Sequence, residues 1–215
     1  MMTDAHYHRD GYATFLSLGD REFRFYGIHP WQVQDLGEAA LLPLQEKLSA
    51  DPHAGVGEIG LDRLKSRVVD PAQRAAFAAQ LEIAAEFGRP VVLHGAKCWG
   101  EVVAVCRPYA GRIPAFLFHG FSRSGGLLPD IAALNGFVGV GAALLNDHAV
   151  NYRELVREVP IERVLVETDA DYGRAGARPS PGEILCKLAE LRGMESAALE
   201  AVVDANAARF VEVLA

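Results

Sequence analysis

Residues 4–8 read Asp4-Ala5-His6-Tyr7-His8, and the rest of the chain can be interpreted outward from this stretch. If the stretch is a β-strand, His6 and His8 lie on one face, because side chains alternate between the two faces of a strand. A neutral imidazole is a common nitrogen ligand for zinc and similar ions. Two histidines separated by one residue are a weak signal alone, so the prediction depends on finding further ligand-type residues along the chain.

Length and composition favour one folded unit. The chain has 215 residues, of which 50% are hydrophobic and 23% are charged, so a substantial core can be buried. No stretch rich in Pro, Ser or Gly divides it, and we predict a single domain over residues 1–215. The apolar runs are far shorter than a membrane span, and the first residues do not resemble a secretion signal.

Cysteine content and net charge bear on location and partners. The three cysteines, Cys98, Cys106 and Cys186, lack C-x-x-C spacing and are typical of buried thiols in a reducing cytoplasm. A net charge of −7 argues against a general nucleic-acid coat but is compatible with a locally basic cleft. We therefore expect a cytoplasmic protein without a membrane partner, and the sequence leaves the oligomeric state open.

Strand-like and helix-like segments alternate along most of the chain. Strands are predicted at residues 14–19, 23–28, 54–59, 89–94, 113–119, 136–142 and 163–167. Helices are predicted at residues 36–50, 70–88, 99–106, 126–134, 150–159, 181–192 and 196–214. Apolar strands separated by helices imply a parallel sheet, and seven or eight such units predict an α/β fold, a TIM-like (β/α) barrel. Between His8 and Ile28 a full crossover does not fit, so we expect the barrel to be irregular or shortened near its first βα unit.

Two helices carry boundary signals that can be checked residue by residue. Asp70 followed by Pro71 is a typical helix start, and Gly88 is a typical stop. Ser196 is a candidate N-cap for the last helix.

Metal-type side chains recur where the predicted strands end. In a barrel these ends deliver side chains to one face, so the side chains are predicted to converge there. Imidazole and carboxylate groups without thiolate suit Zn²⁺, Mn²⁺ or Mg²⁺, and four histidines with two carboxylates can hold two divalent ions. A carboxylate shared by two ions keeps them roughly 3.5–4 Å apart, which serves displacement at phosphorus or carbonyl carbon. The predicted ligands are His6, His8, Glu58, His94, His119 and Asp169.

Together the motifs resemble the TatD family of metal-dependent hydrolases, one of the amidohydrolase-like barrels. The matching pieces, in family order, are Asp4-Ala5-His6-Tyr7-His8, Gly27-Ile28-His29-Pro30, Gly57-Glu58-Ile59-Gly60-Leu61-Asp62, Val91-Val92-Leu93-His94, Phe118-His119-Gly120-Phe121-Ser122 and Glu167-Thr168-Asp169. They cover most of the chain, from residue 4 to residue 169. The resemblance implies a TIM-like barrel and a metal-dependent nuclease of the DNase type. It also implies metal positions at the six residues named above, with Glu58 as the bridging ligand.

The chain departs from the family pattern on the substrate side. The segment between His8 and Gly27 is much shorter than usual. Gly95-Ala96-Lys97 stands where a Thr-Arg pair usually follows the histidine, Arg63 stands at a position that is often Tyr, and Asp171-Tyr172 replaces a Pro-Tyr pair. The metal positions are intact, so these departures bear on the choice of substrate.

Basic residues are concentrated in the segments that directly follow the predicted strands. Eight of the 21 basic residues lie there, on a chain whose net charge is −7. They are Arg9, Arg63, Lys65, Arg67, Lys97, Arg123, Arg174 and Arg178. A basic rim around a divalent-metal centre favours an anionic substrate, most readily a phosphate. Arg63, Lys97 and Arg123 are predicted to hold phosphate oxygens, and the expected partner is DNA or a short oligonucleotide.

The predicted mechanism assigns catalytic roles to Asp169 and Glu58. A divalent ion lowers the pKa of a bound water from 15.7 toward about 7. Asp169 is predicted to take the proton of the attacking water, while Glu58 holds the ions. Two alternatives remain open: an amide, lactone or ester hydrolase with the same metal centre, and a non-catalytic barrel that keeps the metals for binding or regulation.

Other residues of these motifs are predicted to have structural roles. Asp4 is expected to orient backbone or a ligand histidine, and Asp62 to be structural. His29 suits a loop-anchoring donor as well as a functional group. Trp31 and Trp99 are expected to pack against the barrel rim rather than to line the cleft.

Overall fold

The structure, a computed structural model, describes residues 2–9, 14–33, 38–64, 68–122, 125–171 and 179–215. The strands in these ranges are β1 Asp4–His8, β2 Thr14–Leu18, β3 Arg21–Tyr26, β4 Gly55–Asp62, β5 Val91–Ala96, β6 Phe116–Phe118, β7 Gly136–Val140, β8 Val164–Val166 and β9 Ala170–Asp171. The α-helices are α1 Leu42–Ala50, α2 Pro71–Phe87, α3 Trp99–Cys106, α4 Leu128–Ala133, α5 Val150–Glu158, α6 Pro181–Arg192 and α7 Ser196–Phe210.

The strands form one mixed sheet in the order β8-β7-β6-β5-β4-β3-β2-β1-β9. Its two end strands, β8 and β9, are separated in the chain by residues 167–169 alone, so the sheet must curl until its ends meet. From β3 to β8 every neighbouring pair is parallel, and a helix lies between each pair in the chain. The curled sheet with its helices is the predicted TIM-like arrangement.

The irregularity near the first βα unit consists of two antiparallel pairings. Strand β2 is antiparallel to both β1 and β3. Because only five residues connect β1 to β2 and only Gly19 and Asp20 connect β2 to β3, neither connection is long enough for the helical crossover that a parallel pair needs. Gly19 adopts φ 62° in the second connection, a conformation that glycine adopts readily. The expected irregularity is therefore confirmed, whereas the purely parallel sheet implied by the sequence is wrong.

Local signals set the boundaries of α2 as predicted. The Asp70 carboxylate accepts a 2.8 Å hydrogen bond from the amide two residues on, and such an N-cap contributes about 1 kcal/mol. The helix ends at Gly88, which has φ 63°. The N-cap of α7 is Glu195, so the predicted cap at Ser196 is wrong by one residue.

Buried aromatic and thiol side chains fill the layer between sheet and helices. Trp99 is buried at the start of α3 against Phe118 and Phe121, which confirms its predicted packing role. Cys98 and Cys106 are buried as predicted. Cys186 is exposed because it lies on the solvent side of α6, so the prediction of a buried thiol is wrong there. Among the helices in the described ranges, none is long and apolar enough to cross a membrane.

Candidate metal centre

The predicted metal-type residues meet at the carboxyl ends of the parallel strands. Two lie on β1, one on β4 and one on β5, one directly follows β6, and one lies in the connection from β8 to β9. Within the part of the chain that the structure describes, three groups of three side chains have ligand atoms within 4.8 Å of one another: His6-His8-Glu58, His6-His119-Asp169 and His29-Glu58-His94. Each of the six predicted ligands belongs to at least one group, and His29 is an addition.

Glu58 lies at the centre of the cluster and is 3% exposed. Its Oε2 faces one pair of imidazoles, 3.5 Å from Nε2 of His6 and 3.8 Å from Nε2 of His8. Its Oε1 faces the other pair, 2.6 Å from Nδ1 of His94 and 3.7 Å from Nε2 of His119. A carboxylate with one oxygen toward each pair has the geometry required of a ligand shared by two cations.

The glycines beside Glu58 allow β4 to approach β5 closely. Gly57 and Gly60 have φ values of 155° and 151°, which L-residues rarely adopt. A Cβ on Gly60 would lie 2.0 Å from the carbonyl oxygen of His94, and a Cβ on Gly57 would lie 2.8 Å from Cβ of Val92. The β4–β5 register shifts between Val56 and Ile59, and an irregularity of this kind changes the direction in which the side chains point. The motif therefore directs Glu58 into the cluster.

Asp169 completes the side of the cluster that β1 supplies. Its Oδ1 is 3.7 Å from Nε2 of His6 and 3.5 Å from Nε2 of His8, and its side chain is 56% exposed. The Asp169 amide donates a 3.0 Å hydrogen bond to the His6 carbonyl. Asp4 holds the same turn, because its carboxylate accepts hydrogen bonds from the Thr168 amide and hydroxyl at 2.9 and 2.6 Å. Asp4 thus orients backbone, one of its two predicted roles.

The surroundings of His6 and His8 show whether the cluster suits a metal ion. Both ring nitrogens of His6 and Nδ1 of His8 are buried and have no hydrogen-bond partner among the described residues. Burial, helped by the charge of nearby His119, keeps the pKa of His6 below its usual value, so its imidazole is neutral and can donate a lone pair. A buried unsatisfied polar atom costs about 1–3 kcal/mol, which a cation between His6 and Glu58 would offset. The residues present fit a divalent ion.

His94 is held from two sides by carboxylates. Besides the contact with Glu58, its Nε2 lies 3.0 Å from Oδ2 of Asp62. Burial alone would lower the pKa of His94, but the hydrogen bonds to Asp62 and Glu58 outweigh it and raise that pKa to about 9. Asp62 also accepts a 2.8 Å hydrogen bond from the indole N–H of Trp31. Asp62, predicted to be structural, therefore orients one of the predicted metal ligands.

His29 and Trp31 form a wall beside His94. Nδ1 of His29 accepts a 3.2 Å hydrogen bond from the Trp31 amide, which anchors the loop. Its Nε2 lies 3.4 Å from Nδ1 of His94 and 3.8 Å from Oε1 of Glu58. His29 therefore anchors the loop, as an acceptor rather than the predicted donor, and its other ring nitrogen borders the cluster. Trp31 is 54% exposed with its ring against His29, so the prediction that it packs against the rim is wrong.

Glu167 holds His119, a contact that sequence reasoning missed. Its Oε1 accepts hydrogen bonds from Nδ1 of His119 at 2.9 Å and from the Gly120 amide at 2.6 Å. The carboxylate packs against Gly139, where a Cβ would lie 2.1 Å from its Oε2. The contact leaves Nε2 of His119 facing Glu58, the orientation that a metal ligand needs. A second carboxylate two residues before Asp169 was the available signal.

The predicted substrate-binding residues are placed less centrally. Arg63 lies 3.3 Å from Oε1 of Glu101, so part of its charge is compensated within the protein. Lys97 is exposed directly after β5 and adopts φ 59°. Arg123 lies outside the described residues. Lys65, Arg67, Arg174 and Arg178 of the predicted basic rim also lie outside them.

A curled β/α sheet that gathers histidines and carboxylates at its strand ends defines a metal-dependent hydrolase barrel. Residues 3–212 match the family model described as TatD related DNase. The chain therefore belongs to the TatD-related DNase family. The family, the fold class and the assignment to metal-dependent hydrolases predicted from the sequence are thereby confirmed.

Relatives named 3'-5' ssDNA/RNA exonuclease TatD occur in several bacteria. The Pectobacterium carotovorum protein is 31% identical over 85% of this chain and 75% of its own length. The Klebsiella pneumoniae protein is 31% identical over 84% of this chain and 73% of its own length. The Edwardsiella piscicida protein is 32% identical over 68% of this chain, which spans 56% of that relative.

Solved structures support the fold. YJJV, a TatD homologue from Escherichia coli K12, superposes with a TM-score of 0.75 at 24% identity over 86% of this chain and 75% of its own. A TatD family hydrolase from Entamoeba histolytica superposes with a TM-score of 0.68 at 18% identity, over 86% of this chain and 73% of its own. At these identities the likeness concerns the fold alone.

Proposed function

We propose that this chain is a phosphodiesterase that hydrolyses single-stranded DNA or short oligonucleotides, with two divalent ions at the Glu58 cluster. The observation that carries the proposal is the position of Glu58, whose two carboxylate oxygens face separate sets of imidazoles. The names of the relatives, which describe exonucleases of single-stranded DNA and RNA, favour this substrate class. In this proposal residues 1–215 act as one catalytic domain.

The donor set decides which ions are candidates. His6, His8 and Asp169 would hold one ion and His94 and His119 the other, with Glu58 shared. Nitrogen and carboxylate donors without thiolate suit Zn²⁺, Mn²⁺ and Mg²⁺. Bound ions of this kind lower the pKa of a water and stabilise the attacking and leaving oxygens at phosphorus.

Asp169 is the proposed general base. Burial would raise its pKa, but the hydrogen bond from His8 and the charge of His119 outweigh this and hold the pKa of Asp169 at about 2. The carboxylate is therefore ionised at neutral pH, and its exposed side chain can accept a proton from water. Glu58 is fully enclosed, so its proposed role is to hold the two ions in position and not to transfer protons.

The rim would position the substrate. Arg63 directly follows β4 and Lys97 directly follows β5, the strands that carry Glu58 and His94, and both would bind phosphate oxygens. Arg123 is proposed for the same role from its place in the sequence. The exposed indole of Trp31, next to His94, offers a face on which a base can stack.

Metal analysis followed by parallel assays tests the proposal. The purified protein should contain divalent ions, cleave single-stranded DNA and bis(p-nitrophenyl) phosphate, and lose both activities to a chelator. Re-addition of Zn²⁺, Mn²⁺ or Mg²⁺ should restore them. Hydrolysis of an ester or lactone without cleavage of DNA would favour the other hydrolase class. Metal binding without hydrolysis of any of these substrates would favour a binding protein.

A further inference from the structure

We propose that Thr14 is a positioning residue of the metal centre, because its hydroxyl accepts a hydrogen bond from Nδ1–H of His8 when Nε2 of that ring binds an ion. The proposal rests on the proposed function, since it needs the ion that His6, His8 and Asp169 would hold. It adds to the centre a residue of β2, the strand that the sequence did not show to be antiparallel.

His8 and Thr14 are direct neighbours across the first antiparallel pairing. Their Cα atoms are partners in the β1–β2 register. Directly opposite residues carry their side chains on the same face of a sheet, with Cβ atoms roughly 4.5–5.5 Å apart. The hydroxyl oxygen of Thr14 is one bond from its Cβ, and Nδ1 of His8 is two bonds from its own. The two atoms therefore lie within the span that one hydrogen bond can close after a side-chain rotation.

The face that this pair shares is the inner face of the barrel. Phe25, the partner of Thr14 on β3, packs with Val92 and Leu165 in one buried cluster. Val92 lies two residues before His94, so strand alternation places it on the face that bears the ligands. Thr14 is accordingly 0% exposed, although it is the first residue of its strand.

Both atoms of the proposed bond are buried and lack another partner. Among the residues that the structure describes, Nδ1 of His8 and Oγ1 of Thr14 make no hydrogen bond. The neighbour of His8 on its other side is Asp171 of β9, and Nδ1 does not bond its carboxylate either. Buried polar atoms are nearly always hydrogen-bonded, so a donor and an acceptor enclosed together on one face are suitable partners for each other.

Ion binding decides which ring nitrogen of His8 carries the proton. A neutral imidazole has one N–H, and Nε2 already faces Glu58 and Asp169 at 3.8 and 3.5 Å. When Nε2 donates its lone pair to an ion, the proton is on Nδ1 and needs an acceptor, which fixes the ring orientation of the ligand. In the proposal, Thr14 turns about χ1 to another staggered rotamer and presents Oγ1 to that N–H.

A calorimetric titration of the metal-free protein with Zn²⁺ tests the proposal, with Thr14→Val as the variant. Valine keeps the β-branched shape but removes the hydroxyl. The affinity at the site on the β1 side should fall about tenfold, the lower end of the range that is typical when an outer contact of a metal ligand is lost. Thr14→Ser restores an acceptor and should bind Zn²⁺ within about twofold of the wild type.

Thermal unfolding gives a second readout, which a purely structural hydroxyl would not reproduce. Replacing an unpartnered buried hydroxyl by a methyl group removes a desolvated polar group. Metal-free Thr14→Val should therefore unfold at the same temperature as the wild type or higher. The rise in Tm that Zn²⁺ produces should nevertheless be smaller in Thr14→Val, because stabilisation by a ligand follows the affinity for that ligand.

Thr3→Val is the matched control. Thr3 is also a fully buried threonine and directly precedes β1, but its hydroxyl donates a 2.5 Å hydrogen bond to Asp204 of α7. Removal of that hydroxyl should lower the Tm of the metal-free protein and leave the Zn²⁺ affinity unchanged. The expected pattern is therefore the reverse of that for Thr14→Val.

Equal Zn²⁺ affinity in the wild type and Thr14→Val, or a loss that Thr14→Ser does not restore, would overturn the proposal. A loss in Asp171→Asn with none in Thr14→Val would overturn it as well, because the acceptor would then lie on β9. If the wild type binds Zn²⁺ but cleaves neither single-stranded DNA nor bis(p-nitrophenyl) phosphate, the nuclease function fails, and the titrations still decide the role of Thr14. A wild type that binds no Zn²⁺ would overturn both proposals.

Discussion

The two sides of Glu58 are held together in different ways. On the β1 side, His6 and His8 approach the carboxylates no closer than 3.5 Å, and the turn that carries Asp169 is fixed through backbone by Asp4. On the other side, His94 makes contacts of 2.6 and 3.0 Å with two carboxylates. In the proposed two-ion centre, the first side would therefore be a cation pocket formed in advance. The second side is a hydrogen-bond network that would have to exchange partners when an ion enters, so its ion should bind more weakly.

Glu58→Gln removes the feature that both sides share and should have the largest effect. The amide keeps the shape but loses the charge, so both ions should be lost. Metal stabilisation is worth several kcal/mol, and kcat/KM should fall by roughly 10³-fold or more. Metal content and kcat/KM check this. Glu82→Gln changes an exposed glutamate paired with Arg112 and is the control; it should leave metal content and kcat/KM unchanged. Retention of both ions in Glu58→Gln would contradict the shared-ligand role.

Asp169→Asn removes the carboxylate that the β8–β9 connection places beside His6 and His8. Loss of the proton acceptor should lower kcat by about 10²-fold or more, while substrate binding changes little. The measurement is kcat and KM at saturating metal, with metal content determined in parallel. Asp147→Asn, whose side chain is 81% exposed, serves as the control. Near-normal turnover in a metal-loaded Asp169→Asn would remove Asp169 as the base.

Asp62→Asn affects the opposite side. The change weakens the contact that orients His94, and loss of such an outer contact typically costs 10–100-fold in metal affinity. A two-site calorimetric titration should show a lower affinity at the weaker metal site and an unchanged affinity at the tighter one. An equal loss of affinity for both ions would show that the two sides of Glu58 are not independent and would contradict the difference drawn between them.

Trp31→Phe should have the smallest effect. It removes the indole N–H that bonds Asp62 at 2.8 Å but keeps an aromatic ring beside His94. A single hydrogen bond to a charged group is worth about 1.5–3 kcal/mol at most, and this one is partly exposed, so we expect a loss of roughly twofold to tenfold in kcat/KM. A metal titration should again show a lower affinity at the weaker site. An effect as large as that of Asp62→Asn would assign Trp31 a direct role at the substrate.

The regular part of the barrel was predictable because each signal was local. The helix predicted at residues 99–106 is α3, and the limits of α2 follow from Asp70 and Gly88. The direction of β2 was not predictable, since a short apolar strand reads the same in a parallel or an antiparallel pairing. Strand β9, two residues long, lies below what periodicity can reveal.

The six predicted ligands could be identified from the sequence because each lies at a predicted strand end, and the strand ends of a barrel meet at one face. Their supporting contacts depend on pairs remote in the chain. Trp31 reaches Asp62 across 31 positions, and His119 reaches Glu167 across 48. A single sequence does not record which polar side chain lies opposite which, so these partners required the structure.

Residues 167–169 join the two end strands of the sheet and also carry Asp169. Closing the cylinder and placing the proposed base therefore depend on the same three residues. If Asp169 is the base, a fluctuation that separates β9 from β1 would move its carboxylate away from the histidines and stop turnover while the rest of the fold stays closed. Amide exchange at Asp169, whose N–H bonds the His6 carbonyl, should accordingly report on how often the enzyme is competent.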